Sequence, residues 1–157
     1  MKYLQPADAS TRRQLVTGAA GMALLMVLRP ATAATADLDL ALDKYATGAR
    51  ITAGKVKLAI AELVDNGNVV PITVTVDSPM TAANHVKSIA IFNEKNPQRD
   101  VARFALGPRA GKASVTTRIR LATSQKLVAV AHMSDGTYWS HSVDVIVTLA
   151  ACIEGEA

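Results

Sequence analysis

The sequence is poor in the residues on which most active sites and disulfide scaffolds depend. It contains a single cysteine, Cys152, among 157 residues, so no disulfide can form within the chain. Aromatic residues make up 4% of the composition and there is no lysine-rich run, which argues against a nucleic-acid interface. We find no glycine-rich phosphate loop and no serine in a nucleophile-elbow pattern. The lone thiol is therefore the first candidate for chemistry.

Histidine is also scarce. His85, His132 and His141 do not sit at a metal-ligand spacing from one another. His132 and His141 could be neighbours across a predicted hairpin, but surface positions for all three are the simpler interpretation. The sequence therefore predicts no metal site and no cofactor.

The N-terminal segment 1–36 has the layout of an export signal. A twin arginine, Arg12 and Arg13, precedes the apolar run Leu15–Leu28, which is shorter than the ~20 residues of a membrane-spanning helix. Two small-residue cleavage candidates follow, Ala31-Thr32-Ala33 and Ala34-Thr35-Ala36. We therefore expect a removed twin-arginine signal, a bacterial periplasmic location and no membrane span in the mature protein.

Removing this signal changes the charge of the protein. The whole chain has a net charge of +4, and the signal holds four cations and one anion, Lys2, Arg12, Arg13, Arg29 and Asp8, so the mature chain carries +1. About 120 residues remain, which suits one domain.

A two-residue period begins at Gly54 and continues to the end of the predicted domain, 37–149. Strands are predicted at 55–63, 69–76, 86–92, 101–106, 113–122, 127–133 and 138–149, with turn residues between them. This pattern predicts an all-β, immunoglobulin-like β-sandwich of about seven strands, with a six- or seven-stranded barrel as the alternative.

A short helix is predicted from Asp37 to Tyr45, ahead of the strands. Asp37 could cap its start, while Leu38, Leu42 and Tyr45 form one apolar stripe. Docking on one side of a sheet is the expected use of this stripe, and binding to a partner is the alternative.

Two further surfaces leave their use open. The apolar run Ile89–Phe92 and the apolar final strand could pack within the domain or supply a partner surface. Several arginines cluster in the second half of the chain and could form either an anion patch or an ordinary solvated sheet face. They are Arg99, Arg103, Arg109, Arg118 and Arg120.

Cys152 lies in the last eight residues, 150–157, which we expect to form a flexible arm after the final strand. Three residues beyond Leu149 span at most about 10 Å, enough to carry the sulfur off the domain. Glu154 and Glu156 should raise the pKa of the thiol, and no cation lies within five residues. The arm therefore predicts a carrier or substrate thiol that a partner activates, with a packed, inert cysteine as the alternative.

Four stretches of the sequence resemble the SoxY family, the carrier subunits of sulfur oxidation. They are Asn66-Gly67-Asn68-Val69-Val70-Pro71-Ile72-Thr73-Val74, Ile89-Ala90-Ile91-Phe92-Asn93-Glu94-Lys95-Asn96-Pro97, Thr117-Arg118-Ile119-Arg120-Leu121-Ala122 and Ser134-Asp135-Gly136-Thr137. The twin-arginine signal and the terminal cysteine agree with this resemblance, which covers nearly the whole chain.

The resemblance implies an immunoglobulin-like sandwich that pairs with a second β-sandwich subunit, SoxZ. It implies an arm on which Cys152 carries covalently bound sulfur species. A c-type cytochrome complex would conjugate thiosulfate to Cys152, and a hydrolase would then release sulfate and leave a persulfide. By this resemblance the chain is a carrier rather than an enzyme and has no catalytic residue of its own.

The arm departs from the family pattern Gly-Gly-Cys-Gly-Gly. Its residues around the cysteine are Ala150, Ala151, Ile153, Glu154 and Gly155. Alanine restricts a backbone that glycine leaves free, and the carboxylates should repel thiosulfate. Three functions therefore remain: a sulfur carrier, an interaction subunit without carrier chemistry, and an unrelated periplasmic binding or enzyme module.

Overall fold

The computed structural model describes residues 33–149, which form one α-helix and nine β-strands. In chain order they are α1 (Ala33–Ala46), β1 (Ile51–Ala53), β2 (Val56–Ala59), β3 (Leu63–Asn66), β4 (Val70–Val76), β5 (Val86–Asn93), β6 (Asp100–Ala105), β7 (Ser114–Ile119), β8 (Gln125–Met133) and β9 (Tyr138–Leu149). A short 3₁₀ helix, Pro108–Ala110, lies between β6 and β7. The signal residues Arg12 and Arg13 and the arm residues 150–157 lie outside the described residues.

The strands form two sheets. The larger has the order β1-β9-β8-β5-β6, and β3 pairs with the C-terminal part of β9; the smaller has the order β2-β4-β7. Alternate residues of both sheets point into one shared apolar core, as the two-residue period predicts. Its fully buried members include Ile72, Val74, Ile89, Ile91, Ala129 and Ala131. The predicted all-β sandwich is confirmed.

Helix α1 packs on the outer face of the larger sheet, over β5, β8 and the start of β9. Leu38 and Ala46 pack with Phe92, Val130 and Tyr138 in a second apolar cluster, and Leu42 and Tyr45 lie against it. The predicted stripe of α1 is thus used for docking on the sheet. All four residues of the run Ile89–Phe92 have 0% exposure, so the interpretation of this run as a partner surface is wrong.

The start of α1 differs from the expectation. The helix begins at Ala33, so Asp37 lies inside it instead of capping it. The carboxylate of Asp37 instead pairs with Arg99, with 3.1 Å between Oδ2 and Nη2. With 14 residues, α1 is too short to cross a bilayer. Within residues 33–149, no helix has the length and apolar character that a membrane span needs.

Two differences raise the strand count from about seven to nine. β1 has only three residues and pairs in parallel with β9. Three residues are too few to show the alternation from which a strand is predicted. The run predicted as one strand at 55–63 ends early: β2 stops at Ala59 and pairs with β4, whereas β3 begins at Leu63 and pairs in parallel with β9. The alternation of buried and exposed residues is lost between the two strands, where Ala61, Glu62 and Leu63 are all exposed.

Candidate functional site

The predicted attachment residue, Cys152, follows the described residues, which end at Leu149. The end of β9, to which Cys152 is attached, lies within the described residues. Four segments meet at the end of the sandwich where β9 ends, and we call this end the β9 pole. They are residues 66–69, 93–99, 120–124 and 146–149.

The last residues of β9 are held by β3 and not by β8. The pairing of β8 with β9 ends at Gln125 and Val145, whereas β3 pairs Asn66 with Leu149. Gly67 donates its backbone N–H to the carbonyl of Leu149 at 2.8 Å. These bonds fix the strand up to three residues before Cys152.

Two hydroxyl groups strengthen this anchor. The backbone N–H of Val147 donates to Ser124 Oγ at 2.9 Å, at a point where β8 no longer supplies a partner. Thr148 Oγ1 donates to the carbonyl of Asp65 at 3.0 Å. Side chains thus replace the missing sheet neighbours of β9.

Asn96 links the loops of the β9 pole. Its Nδ2 donates to the carbonyl of Arg120 at 2.8 Å, and its Oδ1 accepts the N–H of Ala122 at 3.0 Å and Nε2 of Gln125 at 2.6 Å. The residue after Arg120, Leu121, donates its N–H to the carbonyl of Gly67 at 2.8 Å. A continuous path of hydrogen bonds therefore runs from Asn96 to the end of β9.

We expect Asn96→Ala to lower the free energy of unfolding by about 2–3 kcal/mol. The substitution leaves the N–H of Ala122 and Nε2 of Gln125, a residue with 4% exposure, without acceptors. Urea unfolding of the two proteins measures the difference. Asn68→Ala is the matched control, because its exposed side chain bonds only Asn66, and we expect a loss below about 0.5 kcal/mol. Equal losses in both variants would show that Asn96 has no special part in the pole.

Exposed apolar side chains surround the end of β9. Leu63, Val69, Ile146 and Leu149 are 59–62% exposed, and they are four of the five exposed large hydrophobic residues within 33–149. Leu63 and Ile146 are partners in the parallel register. An apolar group of this kind is typical of a surface that contacts another protein.

The histidines are separated by the fold. In the β8–β9 hairpin, His132 pairs with Tyr138 and His141 with Ala129, so the two rings are not neighbours across the turn. His141 Nδ1 accepts the N–H of Leu58 at 3.2 Å. Residues 33–149 contain no group of three His, Cys, Asp or Glu side chains placed to hold a metal ion.

The ring of His132 stacks on Tyr138 with 4.4 Å between the ring centroids. Burial lowers the pKa of His132, Lys87 lowers it further, and Asp135 opposes both. The protonated form is therefore less favourable in the folded protein than in the unfolded chain, so any contribution of His132 to stability is lost as the pH falls.

The arginines of the second half do not form one patch. Arg99 pairs with Asp37, and Arg103 pairs with Asp100 at 2.6 Å. Arg118 and Arg120 lie exposed on the outer face of β7 and its extension, as the alternation predicts. Within the described part of the chain, neither Arg118 nor Arg120 forms an ion pair.

Comparison with known proteins identifies the family of the chain. The model of the family described as sulfur oxidation protein SoxY matches residues 43–152, so the matched region ends at the cysteine. The chain belongs to the SoxY family. Three of the four stretches that suggested this family, around Asn66, Asn96 and Arg120, meet at the β9 pole.

Solved structures agree with this assignment. The sulfur carrier protein SoxY from Chlorobium limicola f thiosulfatophilum is 28% identical, with a TM-score of 0.62 over 73% of this chain and 99% of that one. A superoxide reductase (neelaredoxin) from Ignicoccus hospitalis is 22% identical, with a TM-score of 0.54 over 59% and 79% of the two chains. A putative superoxide reductase from Thermotoga maritima is also 22% identical, with a TM-score of 0.51 over 66% and 89%. These two reductases share only the fold. No curated protein sequence matches the chain.

Proposed function

We propose that this chain is a periplasmic sulfur carrier that holds sulfur intermediates covalently on Cys152. The observation that carries the proposal is the family match, which covers residues 43–152, with all nine strands, and ends at the only cysteine. A SoxY protein with 28% identity is itself described as a sulfur carrier. Membership of this family sets aside the unrelated binding or enzyme module.

The anchor of the arm supports a carrier. β9 is fixed up to Leu149 by Gly67, Ser124 and Thr148, so the domain presents the arm from a defined point. From Leu149 the sulfur of Cys152 can reach about 10 Å. A thiol placed in this way can enter the active site of another protein while the sandwich stays outside.

The chemistry then belongs to partners. Oxidative conjugation joins the sulfane sulfur of thiosulfate to the Cys152 sulfur, and it releases the thiol proton and two electrons, which a c-type cytochrome complex accepts. Hydrolysis of the resulting thiosulfonate breaks its S–S bond to the sulfonate group, releases sulfate and leaves a persulfide on Cys152. Because no cation of this chain lies within five residues of the thiol, the loading enzyme must stabilise the thiolate.

The proposed assembly is a heterodimer with a SoxZ-like β-sandwich subunit, exported by the twin-arginine route. The exposed apolar residues around the β9 pole, Leu63, Val69, Ile146 and Leu149, support a protein partner close to the arm. Neither sheet of this chain depends on such a partner for its own core, which is filled within residues 33–149.

A second function is favoured by the composition of the arm. Ala150, Ala151, Ile153 and Glu154 stand where the family pattern has glycine, so an interaction subunit that no longer cycles thiosulfate is the alternative.

The intact mass of the protein isolated from cells fed with thiosulfate separates the two functions. We expect an adduct of sulfur or thiosulfate mass on the peptide that contains Cys152, and we expect reductant to remove it. A bare thiol under every feeding condition, with a partner subunit still bound, would support the interaction subunit instead.

A further inference from the structure

The smaller sheet has an outer face that no other element covers within residues 33–149. It consists of the outward side chains of β2, β4 and β7, and we call it the cationic face. Its members are Lys57, Ala59, Pro71, Thr73, Thr75, Ser114, Thr116, Arg118 and Arg120, which directly follows β7. On the larger sheet, α1 covers the outer face of β5 and β8, and the outward residues of β9 beyond α1 are exposed but include Asp144.

The middle of the cationic face is flat. Thr73 and Thr116 are opposite each other and share a hydrogen bond of 3.0 Å between their hydroxyls, and Thr75 and Ser114 share one of 3.4 Å. These short, paired side chains project little above the strands. Such a surface can approach another flat protein surface closely.

The charge of the face is mainly positive. Its strands carry Arg118 and Lys57 and contain no aspartate or glutamate, and Arg120 follows β7. The exposed carboxylate of Asp77 follows β4 at the opposite end from Arg120. Arg118 and Arg120 are two residues apart on one side of the chain, about 7 Å between Cα atoms. Since neither has an ion-pair partner within residues 33–149, both are available to an acidic surface.

The arginines lie beside the anchor of the arm. Leu121, the next residue after Arg120, donates to Gly67, and Gly67 donates to Leu149. Pro71 is the register partner of Arg118, and Val69, two residues earlier, is 62% exposed. The end of the face nearest Cys152 thus carries two arginines, a residue type that is enriched in protein contacts.

The size of the face indicates a transient contact. Three strands about 4.8 Å apart and six residue steps of about 3.3 Å give an area on the order of 300 Å². A stable complex buries about 800 Å² on each partner, whereas transient complexes bury less. A second copy of the chain would bring like charges together, so the face is unsuited to self-association.

We propose that the cationic face docks the acidic surface of the enzyme that loads Cys152. This inference rests on the proposed function, because that function supplies the enzyme. Docking here would place the enzyme at the β9 pole with Arg118 and Arg120 facing its carboxylates. Attraction between the two surfaces would raise the rate of encounter and would weaken with salt.

The test is the affinity of the full-length protein for the purified c-type cytochrome loading complex. Both proteins of each comparison carry Cys152→Ser, so that binding is measured without sulfur chemistry. We expect Arg118→Glu with Arg120→Glu to raise the Kd at least about tenfold at low salt and to remove the weakening of binding by salt, since salt would now screen a repulsion. Lys44→Glu with Arg50→Glu changes the net charge equally on exposed positions away from the face, and we expect less than about a twofold change.

The two double variants separate docking at the cationic face from a general effect of charge. An unchanged Kd in the arginine variant, or equal losses in the two double variants, would overturn the proposal. If the double glutamate variant does not fold, as judged by its thermal unfolding, Arg118→Ala with Arg120→Ala takes its place with the same criteria. Salt-dependent binding through the arginines, together with no adduct on the wild-type thiol after incubation with the same enzyme and thiosulfate, supports the docking face and contradicts the carrier function.

Discussion

Cys152→Ser is expected to abolish sulfur loading and thiosulfate-dependent oxidation by this protein. Serine has nearly the shape of cysteine, but its oxygen forms no disulfide-like bond with sulfane sulfur. Because the chain has no other cysteine, no second thiol can replace the lost one. We expect the adduct on the arm peptide to disappear completely and the electron flow to the cytochrome complex to fall to background.

The fold of this variant should not change. The core and the hydrogen bonds of the β9 pole lie within residues 33–149, and Cys152 follows them. We therefore expect the wild-type midpoint in urea and undiminished copurification of the partner subunit. Ala150→Ser is the matched control, since it introduces the same hydroxyl into the arm and keeps the thiol; it should load at close to the wild-type rate. Full oxidation by the serine variant would show that Cys152 does not carry the sulfur.

The sandwich could be predicted from sequence because burial imposes the two-residue period directly. In β4 the pattern of buried and exposed residues follows this period, and its core members Val70, Ile72, Val74 and Val76 were recognisable as one face. β5 and β8 are buried on both faces, so their sequences are almost continuously apolar. Helix α1, which buries the outer face of these two strands, was also predicted, from the apolar stripe of Leu38, Leu42 and Tyr45.

The partners of the strands could not be predicted in the same way. The change of sheet between β2 and β3 depends on β9, which lies about 80 residues later in the chain. No local pattern reports such a distant neighbour. β1, with three residues and one parallel partner, has too little sequence to show a period.

The candidate site was predicted unevenly for the same reason. Cys152 stood out by being the only thiol, and it needs no three-dimensional information to be noticed. Asn96 and Gly67 appeared only as members of the stretches that resemble the family, although the structure makes them the links between three loops and β9. Their value comes from the partners of their amide and backbone groups, and these partners are 24 or more residues away.

Restoring glycines around Cys152 is expected to raise the rate of thiosulfate loading about tenfold. The variant combines Ala150→Gly, Ala151→Gly, Ile153→Gly and Glu154→Gly, which recreates the family pattern Gly-Gly-Cys-Gly-Gly. Glycine widens the range of backbone conformations available on both sides of the sulfur. Loss of Glu154 removes one repulsion of a dianion, worth about 2 kcal/mol at 4 Å in water before screening by salt.

Charge and backbone freedom can be separated with Glu154→Gln, which removes the carboxylate and keeps the rest of the arm. If repulsion limits the reaction, this single change should give most of the increase, and the increase should shrink as salt is added. If the backbone limits it, only the glycine variant should load faster, and salt should make little difference. The rate constant for loading by the c-type cytochrome complex is the quantity to compare. A glycine variant that loads more slowly than the wild-type protein would contradict both reasons, because it would mean that alanine, isoleucine and glutamate contribute contacts to the loading enzyme. In that case the arm would be adapted to a different partner or sulfur substrate from the one that the family pattern serves.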